Sequence, residues 1–427
     1  MTARAFLDHF RLDDFLTGPR AHGEPLLVER GDRVGVVLLN AGGPESERDV
    51  ARFLYCRYMD PALYPAAMPR RVRSVMSQLL ARWKARKVCE AFRQIGGASP
   101  QKRHTEEQAR ALARRLNERF GPLTGAHFYT YAALRYAEPS VADVLGRLQA
   151  DGITQVALLP LWPHYSAATT GSALAWWETH PEVASLSTTC VPEFAAHPKF
   201  VQAVSDRVDE GLQRFPRTVR EQVCLVFVAP ALANRRRAEQ GDPYCCHVHT
   251  TVQQVMALRA EDDPGRAFRV ASIGTPMPGR ALLQPVKEVV EKLAEEGHTK
   301  VLLVPVAFVC DRIETAFGLD IALREEAEKL GVEHLEVTSG LNAHPLLIEA
   351  LAECVAAQLA PAALPQGDGA VDALPAPIPS LPLFQPEQRH VRCPHCACGA
   401  EARDWSGQAA VHVPVPLMEG ERTSRAA

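Results

Sequence analysis

The chain lacks any run of about eighteen consecutive apolar residues, so no segment predicts a bilayer span. Its N-terminus also lacks the apolar centre of a signal peptide, because Asp8, Arg11, Asp13 and Asp14 interrupt it. An excess of either charge is missing too: 47 Lys and Arg stand against 50 Asp and Glu, for a net charge of −3. That balance gives no electrostatic case for nucleic acid. These absences predict a soluble, cytoplasmic protein without a transmembrane segment, and they leave peripheral membrane contact open.

What is present suffices for more than one domain. The 427 residues, 47% of them hydrophobic, can build substantial cores. Apolar runs at 34–40, 127–132, 156–161, 223–228, 268–272 and 301–307 read as buried strands. Between them, segments 50–58, 105–120, 141–150, 198–214, 250–259, 283–296 and 314–330 place apolar residues at helical spacing. Such alternation predicts parallel sheets wrapped by helices. There is an internal echo as well: Asp151, Gly152 and Thr154 lead into the strand at 156–160 as Glu296, Gly297 and Thr299 lead into 301–305. Two similar halves facing each other across a cleft are implied.

The eleven cysteines fall into two classes. Cys56, Cys89, Cys190, Cys224, Cys245, Cys246, Cys310 and Cys354 are scattered, several of them in apolar stretches, as packed thiols are in a reducing compartment. Cys393, Cys396 and Cys398 instead crowd together, at a spacing that lets thiolates converge on one metal or cluster. A proline-rich stretch at 361–386 precedes them and reads as a linker.

The strand at 156–161 empties into Pro163, His164, Tyr165, Ser166, Ala167, Ala168, Thr169, Thr170, Gly171 and Ser172. Small hydroxyl residues and a glycine at the carboxyl end of a buried strand suit ligand binding in an open α/β fold, although a helix-capping turn looks the same. Further blocks stand in order: Ala41, Gly42, Gly43 and Pro44; Ile95, Gly96, Gly97, Ala98, Ser99 and Pro100; Leu134, Arg135, Tyr136 and Pro139; Gly241, Asp242, Pro243 and Tyr244. Together, from about residue 35 to 355, this series resembles the ferrochelatase family, whose members insert ferrous iron into a porphyrin to make haem.

The resemblance implies an α/β fold of two similar, doubly wound parallel-sheet lobes, with the porphyrin in the cleft between them. The expected division is an N-terminal extension at 1–30, a first chelatase lobe at 31–190, a second at 191–360, the linker at 361–388 and a cysteine-containing tail at 389–427. Arg135, Tyr136, Tyr165, Ser166, Thr169 and Thr170 match the porphyrin-facing side, where Arg135 would pair with a propionate and a surface ion pair is the alternative. Glu314 matches the family's catalytic glutamate and would meet the substrate iron. By resemblance the tail cysteines Cys393, Cys396 and Cys398 would hold a [2Fe–2S] cluster, with zinc and a histidine such as His390 as the rival. Cys190, Cys224, Cys354 and His395 are open candidates for a fourth ligand.

The chain departs from the family where iron is handled. Metal insertion removes two pyrrole protons, and the family's proton-accepting histidine follows the strand at 223–228; this chain has Pro230 there, and no histidine lies between His197 and His247. Arg312 replaces a histidine two residues before Glu314, Gly318 replaces a second acid, and Asp320 lies off that face. Phe92 and Gly279 replace aromatic residues expected as tyrosine and tryptophan. His164 is the nearest substitute base, and His247 and His249 are expected as exposed residues near a helix start. Two readings follow: iron insertion into protoporphyrin IX or coproporphyrin III, or a catalytically degenerate relative that binds porphyrin or haem or acts as a regulatory protein. Oligomeric state is open.

Overall fold

The long apolar runs become strands buried on both faces, the pattern of parallel sheets covered by helices. In a computed structural model that describes residues 25–64, 68–232, 242–274 and 281–361, the chain runs in order through β1 (Leu26–Val28), β2 (Arg33–Asn40), α1 (Glu47–Met59), α2 (Arg70–Gln94), α3 (Gln101–Arg119), β3 (His127–Leu134), α4 (Val141–Ala150), β4 (Gln155–Pro160), α5 (Ser172–Glu178) and β5 (Ser187–Cys190). The second half continues with α6 (Pro198–Leu212), β6 (Cys224–Pro230), α7 (Tyr244–Arg259), β7 (Phe268–Ile273), α8 (Val286–Glu295), β8 (Lys300–Pro305), α9 (Arg324–Lys329), β9 (His334–Val337), α10 (Pro345–Ala356) and β10 (Leu359–Pro361). The linker, the tail with Cys393, Cys396 and Cys398, the first 24 residues and Gly279 lie outside the described residues.

The fold is α/β with two matching parallel sheets. One has the order β3-β2-β4-β5 and the other β7-β6-β8-β9. Counted from the first strand of each half, both orders are second, first, third, fourth. The sequence echo before 156 and before 301 is therefore the approach to the third strand of each half. Close packing of helix on strand needs Gly35 in β2, where a Cβ would come within 2.8 Å of Leu148 in α4.

The matching extends past the third strands. Beyond β4 the chain forms a π-helical turn, Ala167–Gly171, that runs into α5. Beyond β8 it forms a longer π-helix, Glu314–Leu323, that runs into α9. Both lie past the carboxyl ends of their sheets, where open α/β folds place ligands, and π-helical turns gather at functional sites.

The halves share one apolar core, which includes Leu38 of β2, Phe200 of α6, Phe227 of β6, Val304 of β8 and Leu351 of α10. The last described elements cross back to the first half. Glu349 and Glu353 of α10 pair with Arg115, Arg119 and Lys199, and β10 pairs in parallel with β1, Leu26 facing Leu359. Two helices depart most from the sequence expectations. α7 starts at Tyr244 instead of residue 250, and α2 is a 25-residue helix over a segment with no helix expected. No helix among the described residues is long and apolar enough to cross a membrane.

Candidate active-site cleft

The wall from the first half is organised by a buried carboxylate, Asp60, just past α1. Tyr136 Oη donates to its Oδ2 at 2.6 Å, Ser172 Oγ at 2.7 Å and Arg135 Nη2 at 3.4 Å. The Ala62 amide donates to Oδ1 at 2.8 Å. Asp60 and Arg135 are 0% and 2% exposed, and the guanidinium also lies 4.7 Å over the Trp176 ring. A buried charge pair of this kind depends on further hydrogen bonds, and Arg135 Nε supplies one to Ser172 Oγ at 3.3 Å. Arg135, expected to face a propionate, is thus engaged inside the wall. Tyr136 stays partly exposed, and burial, followed by the Asp60 charge, holds its phenol proton on well above the usual range. Asp60 carried no sequence signal, since its partners lie far along the chain.

The hydroxyl loop is latched to the second half. Ser166 Oγ and the Ala167 amide both donate to Asp242 Oδ2, at 2.8 and 2.9 Å. The Tyr165 amide donates to His247 Nδ1 at 3.2 Å, and His164 Nε2 lies 2.9 Å from Thr251 Oγ1. Thr251 gives its own proton to the Ala195 carbonyl at 2.7 Å, so His164 Nε2 is the donor in that contact. Tyr165, Ser166 and Thr170 are buried, whereas Thr169 is partly exposed. His247 is buried rather than exposed, because α7 begins early enough to turn it under the loop. Burial drives its pKa down to about 3. Burial, and then the neighbouring His247, drive His164 well below the usual imidazole range. Both rings are neutral packing groups.

Opposite them, Glu314 opens the π-helix of the second half. The turn before it is fixed by Asp311, whose carboxylate accepts from the Gly340 amide at 2.9 Å and Asn342 Nδ2 at 2.7 Å. Gly340 has to be glycine, because a Cβ there would lie 2.8 Å from the Asp311 backbone nitrogen. Arg312 grips Glu314 with two parallel bonds, Nε to Oε2 at 2.8 Å and Nη2 to Oε1 at 3.1 Å. Arg57 of α1 adds a second guanidinium 4.0 Å away. Burial by itself would raise the Glu314 carboxyl, but the charges of Arg312 and Arg57 and the hydrogen bonds outweigh it and hold the group below its ordinary value. The pair is charged at neutral pH.

The remaining positions around Glu314 are filled by inert groups. The Pro230 carbonyl accepts a hydrogen bond from the buried Tyr244 hydroxyl at 3.2 Å, and Tyr244 in turn feels the Arg312 charge. At Gly318 an added Cβ would come within 2.9 Å of Ile273 Cδ1, so an apolar side chain occupies the space an acid would use. Asp320 points away and is held by Arg324 at 2.7 Å. Among the described residues, no cluster of three or more His, Cys, Asp or Glu could hold a metal ion.

Comparison with known proteins places this geometry in context. The chain matches the Ferrochelatase family over residues 33–359. It is 34% identical over 326 residues to a ferrochelatase of Geotalea daltonii, covering 76% of this chain and 97% of that one. A Synechocystis ferrochelatase is 33% identical over 327 residues, covering 76% and 82%. Among solved structures, a sirohydrochlorin chelatase of Bacillus subtilis subspecies spizizenii in complex with cobalt aligns with a TM-score of 0.41 and 12% identity, covering 76% of this chain and 95% of that one.

The buried imidazoles have a consequence for acid stability. A histidine whose folded pKa is depressed binds its proton more readily when unfolded, so stability is full above about pH 6.5 and falls as the pH drops below it. Between pH 7 and pH 5, His247 should account for a loss of about 2 kcal/mol. His247→Asn keeps an acceptor for the Tyr165 amide and removes the titration. Denaturant melts at both pH values should show that share of the pH dependence gone in the variant; an unchanged dependence would contradict the assignment.

Proposed function

Because the chain belongs to the ferrochelatase family, we propose that it binds a porphyrin between its two halves but inserts ferrous iron poorly or not at all. The observation that carries this reading is the bidentate grip of Arg312 on Glu314, backed by Arg57. A carboxylate receives a divalent cation when its lone pairs are open and its surroundings are not positive. Here two guanidiniums flank it. At an effective dielectric near 20, each unit charge about 4 Å away opposes a dication by about 8 kcal/mol, enough to outweigh one carboxylate.

Proton removal is handicapped in the same way. Pro230 has no titratable group, and His164 and His247 are buried away in the loop latch. General-base assistance is worth roughly a hundred- to ten-thousandfold, and insertion should be slowed by about that factor. Porphyrin binding itself asks for less: partly exposed Tyr136 and Thr169 to line the slot, with Arg135, Tyr165, Ser166 and Thr170 stiffening the wall behind them. Arg57, 29% exposed at its side chain, is better placed than Arg135 to meet a propionate carboxylate. Protoporphyrin IX and coproporphyrin III are the ligand candidates. Iron insertion through Glu314 is the second reading, favoured by the survival of that acid at the head of the π-helix.

For the tail we propose a [2Fe–2S] cluster on Cys393, Cys396 and Cys398, with zinc as the rival. Of the fourth-ligand candidates within the described residues, Cys224 and Cys354 are buried, and burial pushes both thiols up, Cys224 to about 11. A thiolate ligand is disfavoured at either site. Cys190, at the end of β5, is partly exposed and fits better.

Two measurements test these readings. Anaerobic protein given ferrous iron and either porphyrin should bind the porphyrin, seen as a Soret shift, while forming haem at least about a hundredfold more slowly than the Geotalea daltonii relative. Haem formation at a comparable rate would establish the second reading instead. The visible spectrum of anaerobically purified protein should show sulfur-to-iron charge-transfer bands that Cys396→Ser removes; a colourless protein containing zinc would overturn the cluster.

A further inference from the structure

The turn that carries Arg312 and Glu314 is held from outside its own half. Gln108, on α3 of the first half, is fully buried, and its Nε2 donates to the Val309 carbonyl at 2.9 Å and to the Asn342 carbonyl at 2.8 Å. Both acceptors are carbonyls, so only the amide nitrogen can face them. The Oε1 of the same amide is buried without a hydrogen-bonding partner. A buried polar atom left in that state calls for a reason, and the two donors turned toward the second half supply one. Asn40, at the end of β2, reaches toward the same turn. Gln101 Nε2 donates to its Oδ1 at 2.7 Å, its own Nδ2 donates to Thr105 Oγ1 at 3.0 Å, and that nitrogen lies 3.9 Å from Cys310 Sγ.

Short steps join the acceptors of Gln108 to the Arg312–Glu314 pair. Asn342 has φ of 50°, the one positive value among the described residues other than glycine. Left-handed backbone is strained for most side chains; asparagine tolerates it, and the strain persists only where the surroundings hold it in place. Here that backbone lets Asn342 face two ways. Its carbonyl meets Gln108, while its amide donates to the Val309 carbonyl at 2.9 Å. Its side chain accepts from the Asp311 amide on Oδ1 at 2.9 Å and donates from Nδ2 to Asp311 Oδ2 at 2.7 Å. Asp311 precedes Arg312, and its Oδ1 also accepts from Thr315 Oγ1, just past Glu314, at 3.1 Å. The ion pair is thus bracketed by residues whose positions lead back to Gln108.

We propose that Gln108 is a positioning residue: from the first half it fixes, through Asn342 and Asp311, where the second half presents Arg312 and Glu314 to a ligand in the cleft. Gln108 is buried within α3, so its influence on a ligand passes through the turn. The functional part of this inference rests on the reading of the cleft as a porphyrin slot; the relay from Gln108 to Asp311 rests on the contacts alone.

Hydrogen exchange of the full chain read by mass spectrometry, with a porphyrin titration beside it, tests this. Gln108→Met keeps the length of the side chain and removes both donors. Amides of 309–316 and 340–342 should then exchange at least about tenfold faster than in the wild type, while those of β6 and β8 stay unchanged. Asn342→Gly keeps the left-handed backbone and removes the contacts to Asp311, so it should give the same local gain, and it decides the matter if Gln108→Met folds poorly. Protoporphyrin IX should bind either variant about three- to thirtyfold more weakly. The double variant should lose about as much as the weaker-binding single one, because both substitutions act through Asp311. Exchange that is unchanged at 309–316, or raised equally across β6 and β8, would overturn the proposal. So would wild-type affinity for protoporphyrin IX in the variants, or losses that add in full. A wild-type chain that binds no porphyrin would refute the reading of the cleft instead, and the exchange measurement would then decide on Gln108 by itself.

Discussion

The ion pair between Arg312 and Glu314 sets the electrostatics of the cleft, and several neighbouring choices make sense only beside it. A bidentate guanidinium–carboxylate contact is geometrically demanding, and here it is held from behind by Asp311, Asn342 and Gly340. Arg57 reaches the same carboxylate from α1, so the pair also ties the second half to the first. Both acceptor oxygens are engaged and positive charge stands on two sides, which is the basis for proposing that the site disfavours a cation. Ile273 fills the space beside Gly318, and the Tyr244 hydroxyl closes the Pro230 carbonyl.

The two halves of the chain share one architecture. Duplicated sheets of the same strand order place a π-helical segment beyond the third strand of each half. The first is locked across to α7 by Asp242, His247 and Thr251, and Asp60 gathers Arg135, Tyr136 and Ser172 into one buried group. Buried networks of this kind stiffen the segments they join. A slot of preserved shape with altered charge is what a binding protein derived from an enzyme would present, and fold and activity need not travel together.

Much of this was legible in the sequence, and the failures have physical causes. The six long strands announced themselves because both of their faces are buried, leaving continuous apolar runs. The strands β5 and β9 passed unnoticed: each is four residues long, lies at a sheet edge and alternates exposure, so neither has an apolar run to show. The losses at Pro230, Arg312 and Gly318 could be read directly, but the grip of Arg312 on Glu314 could not, since replacing one side chain does not say where the new one will turn. Arg135 was read as facing a ligand because its partner Asp60 lies 75 residues away. The expectation of an exposed His247 fails because α7 begins at Tyr244, six residues before its apolar spacing suggests.

The most direct test of the central claim compares anaerobic ferrous-iron titrations of the wild-type chain and of Glu314→Gln, in which any iron taken up at the tail cysteines is common to both. The account predicts superimposable isotherms, because the carboxylate is already committed to Arg312. A binding site present in the wild type and lost in Glu314→Gln would show the carboxylate open to iron and would contradict it.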